Sequence, residues 1–278
     1  MIRYYYVNQK GLGNLVIILA LLIGFLAAFV GSLVGLGGGI VLVPTMLLLH
    51  EYVPAFSWAT PQAIVGISLV TMVFTGMSST LTYLKMKRVD VKTGFIFLIG
   101  SIPGSIIGSW LNTKVNVEQF SLYFGLLMVV IFFLMLIDRD KLVRNKQIKE
   151  TKHTRKFELD GQTFTYNVPL IPAFILALIV GMLSGLFGIG GGTISVPAMI
   201  LLFGIPVQVA IGTSMFIILF ISIVSASTHI AFGHIVWAYV AFFVIGSYIG
   251  GTVGARTSAL FKGKTLTWFL RIVILIAA

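Results

Sequence analysis

The chain has 278 residues, 58% of them hydrophobic and 10% charged, and a mean hydropathy of +1.05. Average soluble proteins carry about 25% charged residues. A soluble fold is therefore excluded, and the solvent for most of this chain is lipid. Cysteine is absent, which excludes disulfides, thiolate metal sites and thiol redox chemistry.

The net charge of +11 is concentrated in a few loops. From Gly161 to Ala255 there is no Asp, Glu, Lys or Arg, and from Gly11 to Leu84 the only charge is Glu51. Lys and Arg gathered in loops between apolar runs are the positive-inside signature. Nucleic-acid binding fits less well, because no basic stripe alternates with aromatics.

At the N-terminus Arg3 and Lys10 precede an apolar run from Leu15, and Leu26-Ala27-Ala28 supplies small residues, as in a signal peptide. An uncleaved helix over Asn14–Leu33 is expected instead, because the same helix recurs later in the chain. A Gly-rich break follows, then a short apolar segment, Ile40–Leu49. A comfortable span needs about 20 residues, and this one is half that. Long helices are expected at Pro61–Leu84, Val91–Leu111 and Phe120–Ile137. The linker Asp138–Val168 holds eight Lys and Arg. Within it, Lys156–Tyr166 alternates around Asp160-Gly161, a β-hairpin signal. The plan then repeats as Leu170–Phe187, a second break, Thr193–Phe203, Val207–Phe232, Ile235–Ala255 and a last helix from Leu266. That last helix ends about one turn before its match, so a further turn is expected beyond Ala278.

The duplication is visible residue by residue. Gly35-Leu36-Gly37-Gly38-Gly39, with Pro44 five residues on, matches Gly188-Ile189-Gly190-Gly191-Gly192 and Pro197 at an offset of 153. Gly66-Ile67-Ser68-Leu69 matches Gly212-Thr213-Ser214-Met215 at an offset of 146. The same offset pairs Gly100, Gly104 and Gly108 with Gly246, Gly250 and Gly254. The change of offset is a seven-residue insertion within Glu51–Pro61. Duplicated halves with broken helices are the mark of a secondary transporter. The expected fold is an all-α polytopic membrane protein of two repeats, residues 14–137 and 169–278, joined by the basic linker 138–168.

Charge orients the repeats. Lys85, Lys87, Arg88 and Lys92 lie in one loop, eight basic residues in the linker, and Arg256, Lys262 and Lys264 in the loop after the fourth helix of the second half. All three should face the cytoplasm. The loop with Lys114 and Glu118 should face outside, so the halves are expected to be inverted. Trp58, Trp110, Trp237 and Trp268 stand at helix ends and are expected to anchor the membrane interface.

Two roles fit the breaks. Small residues let membrane helices pack closely. Broken backbone at membrane depth also lines cavities, and a short helix starting after three glycines aims its N–H groups and positive dipole end inward. The spans offer hydroxyls but no carboxylate except Glu51 at an edge, which suits an anion rather than a cation. The expected binding set is Gly37, Gly38, Gly39, Ile40 and Ser68, with Gly190, Gly191, Gly192, Thr193, Thr213 and Ser214. His229 and His234 lack the company of a metal site. They are expected as interfacial histidines, with His229 an alternative proton-coupling group. Arg256 is an alternative attractant at the cytoplasmic mouth.

The doubled Gly-x-Gly-Gly-Gly with its Pro, the Gly-[Ile/Thr]-Ser-[Leu/Met] opening the next long helix, and Gly-x-x-x-Gly in the one after resemble the sulfite exporter TauE/SafE family of membrane permeases. The resemblance implies export of a sulfur oxyanion such as sulfite or an organosulfonate, across the cell membrane. An anion channel on the same scaffold and a permease for another small anion are the alternatives. An intramembrane enzyme fits less well, because hydrolysis or group transfer wants a paired acid and base or a metal. The partners expected are a small oxyanion and the lipid bilayer, with no cofactor and no metal. No P-loop is present, so pumping driven by ATP is not expected of this chain.

Overall fold

The computed structural model describes residues 2–135, 154–159, 161–261 and 263–277. It is an all-α membrane fold with one small hairpin. The first half contains α1 (Ile2–Val34), α2 (Gly39–Tyr52), α3 (Pro61–Lys85), α4 (Val91–Asn112) and α5 (Val117–Met135). The hairpin strands β1 (Thr154–Leu159) and β2 (Gln162–Asn167) pair antiparallel. The second half contains α6 (Leu170–Phe187), α7 (Gly192–Leu201), α8 (Val207–Ala231), α9 (Trp237–Ser258) and α10 (Gly263–Ala277).

Among the described residues six helices are long and apolar enough to cross a membrane: Val16–Val34 of α1, then α3, α4, α6, α8 and α9. The fifth helix of each half, expected as a long span, is described over 19 and 15 residues. Asp138, Lys146 and most of the basic linker lie outside the described residues, as does Lys262.

Local chemistry sets the helix ends. Thr60 caps α3 by accepting the Ala63 N–H at 3.3 Å, and Pro61 stands in the first turn, where its missing N–H costs nothing. Asp90 caps α4 by accepting the Thr93 N–H at 3.1 Å. The Tyr166 hydroxyl of β2 donates to the same carboxylate at 2.7 Å, which ties the hairpin to the α3–α4 loop. Burial and the Asp90 carboxylate push the Tyr166 phenol well above its usual pKa, so it stays a donor.

Helices in lipid gain no hydrophobic drive toward one another, so close packing must hold them. Two glycine stripes provide it. On α4, a Cβ at Gly100, Gly104 or Gly108 would lie 2.5, 2.1 or 1.9 Å from the carbonyls of Phe174, Leu178 and Met182 of α6. On α9, the same atom at Gly246, Gly250 or Gly254 would lie 2.2, 2.2 or 2.3 Å from those of Leu21, Phe25 and Phe29 of α1. The contacted residues are themselves matched at 153. The first helix of each half thus packs parallel to the fourth helix of the other.

The central pair, α3 and α8, crosses antiparallel. Gly66 lies beside His234 and Ile235, Gly76 beside Leu219, and Gly212 beside Tyr83 and Arg88. One face of the molecule therefore gathers the end of α3, the α3–α4 loop and the hairpin, with Ser258 of α9 beside Tyr83. The other face gathers Gln62, Asn112, Trp58 and Tyr239. The insertion after Glu51 forms a short 3-10 turn, Pro54–Phe56. It buries Phe56 and stacks Trp58 on Tyr239 with ring centroids 4.5 Å apart. Trp58 is half-buried at this face, with its ring packed on Tyr239. Trp110, Trp237 and Trp268 are exposed.

Gly104→Ala should drive a methyl into the Leu178 carbonyl and abolish the monodisperse folded protein on size exclusion. Gly125→Ala on α5, where no atom lies within 4 Å of the new methyl, should leave the melting temperature unchanged or slightly higher. Equal behaviour of the two variants would contradict the role given to the stripe.

Candidate substrate site

Both breaks are made by left-handed backbone. Gly35, Gly37 and Gly38 have φ of 78°, 87° and 99°, and Gly188, Gly190 and Gly191 have 67°, 75° and 71°. Residues with a Cβ rarely hold such angles. The glycines therefore end α1 and α6 and restart the chain as α2 and α7. Gly38 and Gly191 cap the new helices with no side-chain hydrogen bond, leaving first-turn N–H groups without a side-chain acceptor.

The two breaks meet. A Cβ on Gly39 would lie 2.1 Å from the Gly188 carbonyl, and one on Gly192 2.2 Å from the Gly35 carbonyl. Ser68 of α3 donates its hydroxyl proton to the Gly188 carbonyl at 2.7 Å. Its match, Ser214 of α8, donates to the Gly35 carbonyl at 2.8 Å and lies 3.2 Å from the Ser195 hydroxyl. Each matched serine thus latches the break of the opposite half. A hydroxyl has one proton to give, and these two are committed to carbonyls.

The expected set is placed as follows. Gly39, Ser68, Gly192 and Ser214 meet at the crossing. Gly37 and Gly190 stand one step aside, both against Met72. Gly38 and Gly191 each face back toward their own preceding helix, at Ala27 and Val180. Ile40 is fully buried in the first turn of α2. Thr193 occupies the matching turn of α7, fully buried, with no hydrogen-bond partner for its hydroxyl. Thr213 is turned elsewhere: its hydroxyl oxygen accepts the Asp90 N–H at 2.9 Å, at the α3–α4 loop. Arg256 is exposed in the last turn of α9.

Two residues at the centre stand outside the expected set. Met72 and Ile218 are buried against Gly37 and Gly190, and Ile218 also against Gly192. They are matched at an offset of 146, which is the signal that would have found them. Together they fill the junction with apolar side chains.

Toward the other face lies a histidine pair. His229 Nε2 is 3.1 Å from the Gly185 carbonyl, so that nitrogen carries a proton. Its repeat partner Tyr83 donates to the matched carbonyl, that of Ser32, at 2.8 Å. His229 is fully buried, and its Nδ1 lies 2.9 Å from Nδ1 of His234, a separation that holds one proton between two rings.

A family model described as sulfite exporter TauE/SafE matches residues 20–278. The chain belongs to the TauE/SafE family. It is 42% identical over 260 residues to a Bacillus subtilis (strain 168) protein named probable membrane transporter protein YunE, covering 93% of this chain and 94% of that one. A probable membrane transporter protein of Xylella fastidiosa (strain 9a5c) is 25% identical over 241 residues, covering 87% and 84%. Another from Haemophilus influenzae is 29% identical over 205 residues, covering 72% and 68%. No solved structure matches. This TauE/SafE protein is a multi-pass transporter of the cell membrane, and the six long apolar helices among the described residues agree with that placement.

The His234 ring lies outside the spans, and burial holds its pKa below the ordinary imidazole value. The unfolded chain then takes up more protons than the folded one as pH falls through about 6.5. Stability present above that pH is lost below it. The melting temperature of the purified TauE/SafE protein should fall between pH 8 and pH 5.5, with a shallower slope in His234→Asn. A melting temperature that rises on acidification would contradict the assignment.

Proposed function

We propose that this protein exports a small sulfur oxyanion, sulfite or an organosulfonate, by alternating access between two inverted halves. The observation that carries this reading is the crossed junction of the two glycine breaks, latched by Ser68 and Ser214 inside a transporter of the TauE/SafE family. The antiparallel crossing of the matched helices α3 and α8 supports the inversion. Matched helices related by an axis in the membrane plane run oppositely, whereas an axis along the membrane normal leaves them parallel. The basic residues Lys85, Lys92 and Arg256 mark the cytoplasmic face.

The chemistry of the junction suits an anion. Arg88 and Asp90 are the buried charged side chains among the described residues, and both lie at the α3–α4 loop. The centre offers N–H groups, hydroxyls and apolar contacts. A monovalent anion leaving a negative interior gains about 2.3 kcal/mol per 100 mV, equivalent to roughly a fortyfold concentration ratio. Export therefore needs no coupling ion. Met72 and Ile218 fill the junction, which supports a carrier with an occluded centre rather than an open anion channel.

Purified protein in liposomes should carry sulfite or methanesulfonate with saturable kinetics, faster when a potassium–valinomycin potential makes the source side negative. Flux indistinguishable from protein-free liposomes for both anions would sink the proposal. Flux that ignores the potential and follows an imposed pH gradient would overturn the driving force and point to His229.

A further inference from the structure

We propose that the anion is held by the second half alone, at Thr193, Ser184 and the N-terminus of α7, and that this site selects singly charged sulfur oxyanions. The inference rests on the transporter function proposed above. It departs from a site shared equally between two equivalent breaks.

The sequence already separates the breaks. At an offset of 153, Gly31, Ile40 and Leu42 of the first half match Ser184, Thr193 and Ser195 of the second. Three positions that are apolar around α2 carry hydroxyls around α7. Ser195 is paired with Ser214. Ser184 and Thr193 are fully buried, and neither hydroxyl has a hydrogen-bond partner. Most hydroxyls in the spans are satisfied by a carbonyl one turn back: Thr75 by Thr71, Ser101 by Phe97, Thr228 by Val224. Leaving a hydroxyl unpaired in a membrane interior is costly. Two unpaired ones at one helix start therefore point to a ligand.

Both residues lie at the start of α7. Ser184 stands on the last turn of α6, and its Cβ is 3.7 Å from where a Cβ on Gly191 would be. Gly191 is the residue that caps α7, ten residues long, and Thr193 lies in the first turn of that helix. Two hydroxyl donors thus accompany the positive end of a helix dipole. In the first half the equivalent space is closed. Gly31 lets α1 press against the backbone of Gly38, where an added Cβ would lie 2.0 Å from the Gly38 nitrogen, and Ile40 stands in the place of Thr193.

The asymmetry extends toward the face that carries His229. Ser109 of α4 and Ser225 of α8 are also buried without partners. Ser109 Oγ lies 2.9 Å from a Cβ position on Gly185, whose carbonyl meets His229. At the opposite side the matched Ser79 is satisfied, donating to Ser32 at 2.7 Å, and Ser32 donates to the Gly251 carbonyl at 2.8 Å. On that side Ser79 and Ser32 are hydrogen-bonded, while Thr80, next in the chain, has no partner. The other carries two further buried hydroxyls without partners, Ser109 and Ser225.

The donor set names the ligand class. No Asp, Glu, Lys or Arg occurs in α6, α7 or α8, so nothing at the site neutralises a second charge. Hydroxyls and one helix start suffice for a monoanion with several oxygen acceptors. A dianion would be left with a bare charge in lipid.

The test is the apparent affinity of purified protein in liposomes for methanesulfonate, a monoanion, with sulfate as the dianion. Thr193→Val and Ser184→Ala should each weaken half-saturation for methanesulfonate about tenfold or more. Their melting temperatures should stay within a degree of wild type, because neither hydroxyl bonds to protein. Thr80→Val removes a buried, unpartnered hydroxyl on α3 and should leave the affinity unchanged. Wild-type affinity in both α6 and α7 variants overturns the inference while leaving transport intact. Loss of affinity accompanied by a large drop in melting temperature assigns the hydroxyls to folding and overturns it too. Sulfate transported as well as methanesulfonate removes the charge selectivity. Absence of flux in the wild-type protein would instead strike the proposed function.

Discussion

The structure depends on one backbone crossing. The chain that leaves α1 at Gly35 and the chain that leaves α6 at Gly188 pass each other so closely that each carbonyl occupies the space of a missing side chain, at Gly192 and Gly39 respectively. Such carbonyls have lost their helical partners and lie at membrane depth, where each unpaired group costs several kcal/mol. Ser68 and Ser214 satisfy them from across the molecule. The crossing therefore fixes which helices can neighbour which. Once the breaks are locked, α3 and α8 must cross between them, and the glycine stripes of α4 and α9 bring α6 and α1 against the outside of that pair.

The same constraint separates structural from chemical polarity. Hydroxyls that hold the crossing together have spent their protons on carbonyls. Those that bend back to their own helices have done the same. What remains is a small unpaired set, and it is not distributed symmetrically, although the backbone is close to symmetric in its contacts. A duplicated chain needs matched glycines to keep the crossing, but it needs only one set of donors to hold one ligand. Substitution in one copy, as at Thr193 opposite Ile40 and Ser184 opposite Gly31, keeps the matched glycines of the crossing and supplies the donors of the proposed site.

Much of this was legible in the sequence, for physical reasons that can be named. Lipid demands long apolar helices, so composition and run length located Leu170–Phe187 without error and placed α3 and α8 to within a residue. Glycines at fixed spacing marked both breaks and both stripes, because only close backbone contact requires them in series. The 3-10 turn at Pro54–Phe56 shows in the sequence only as an insertion, and the stack of Trp58 on Tyr239 has no signal there because the two residues are far apart in the chain. Thr213 was grouped with Ser214 by adjacency, yet neighbours on a helix point about 100° apart, and it turns to Asp90 instead. Met72 and Ile218 were hidden because apolar residues in a membrane helix look alike. Ser184 was hidden because a buried serine reveals its missing partner only in three dimensions.

The central claim is that the crossing encloses an anion site reached from one side at a time. The chain has no cysteine, so a single cysteine at Thr193 would report access directly through its rate of reaction with a small impermeant maleimide. The account predicts reaction from one side of oriented vesicles in a given state, a switch of side when the membrane potential is reversed in the presence of anion, and slowing by methanesulfonate. Simultaneous reaction from both sides, unaffected by methanesulfonate, would contradict it.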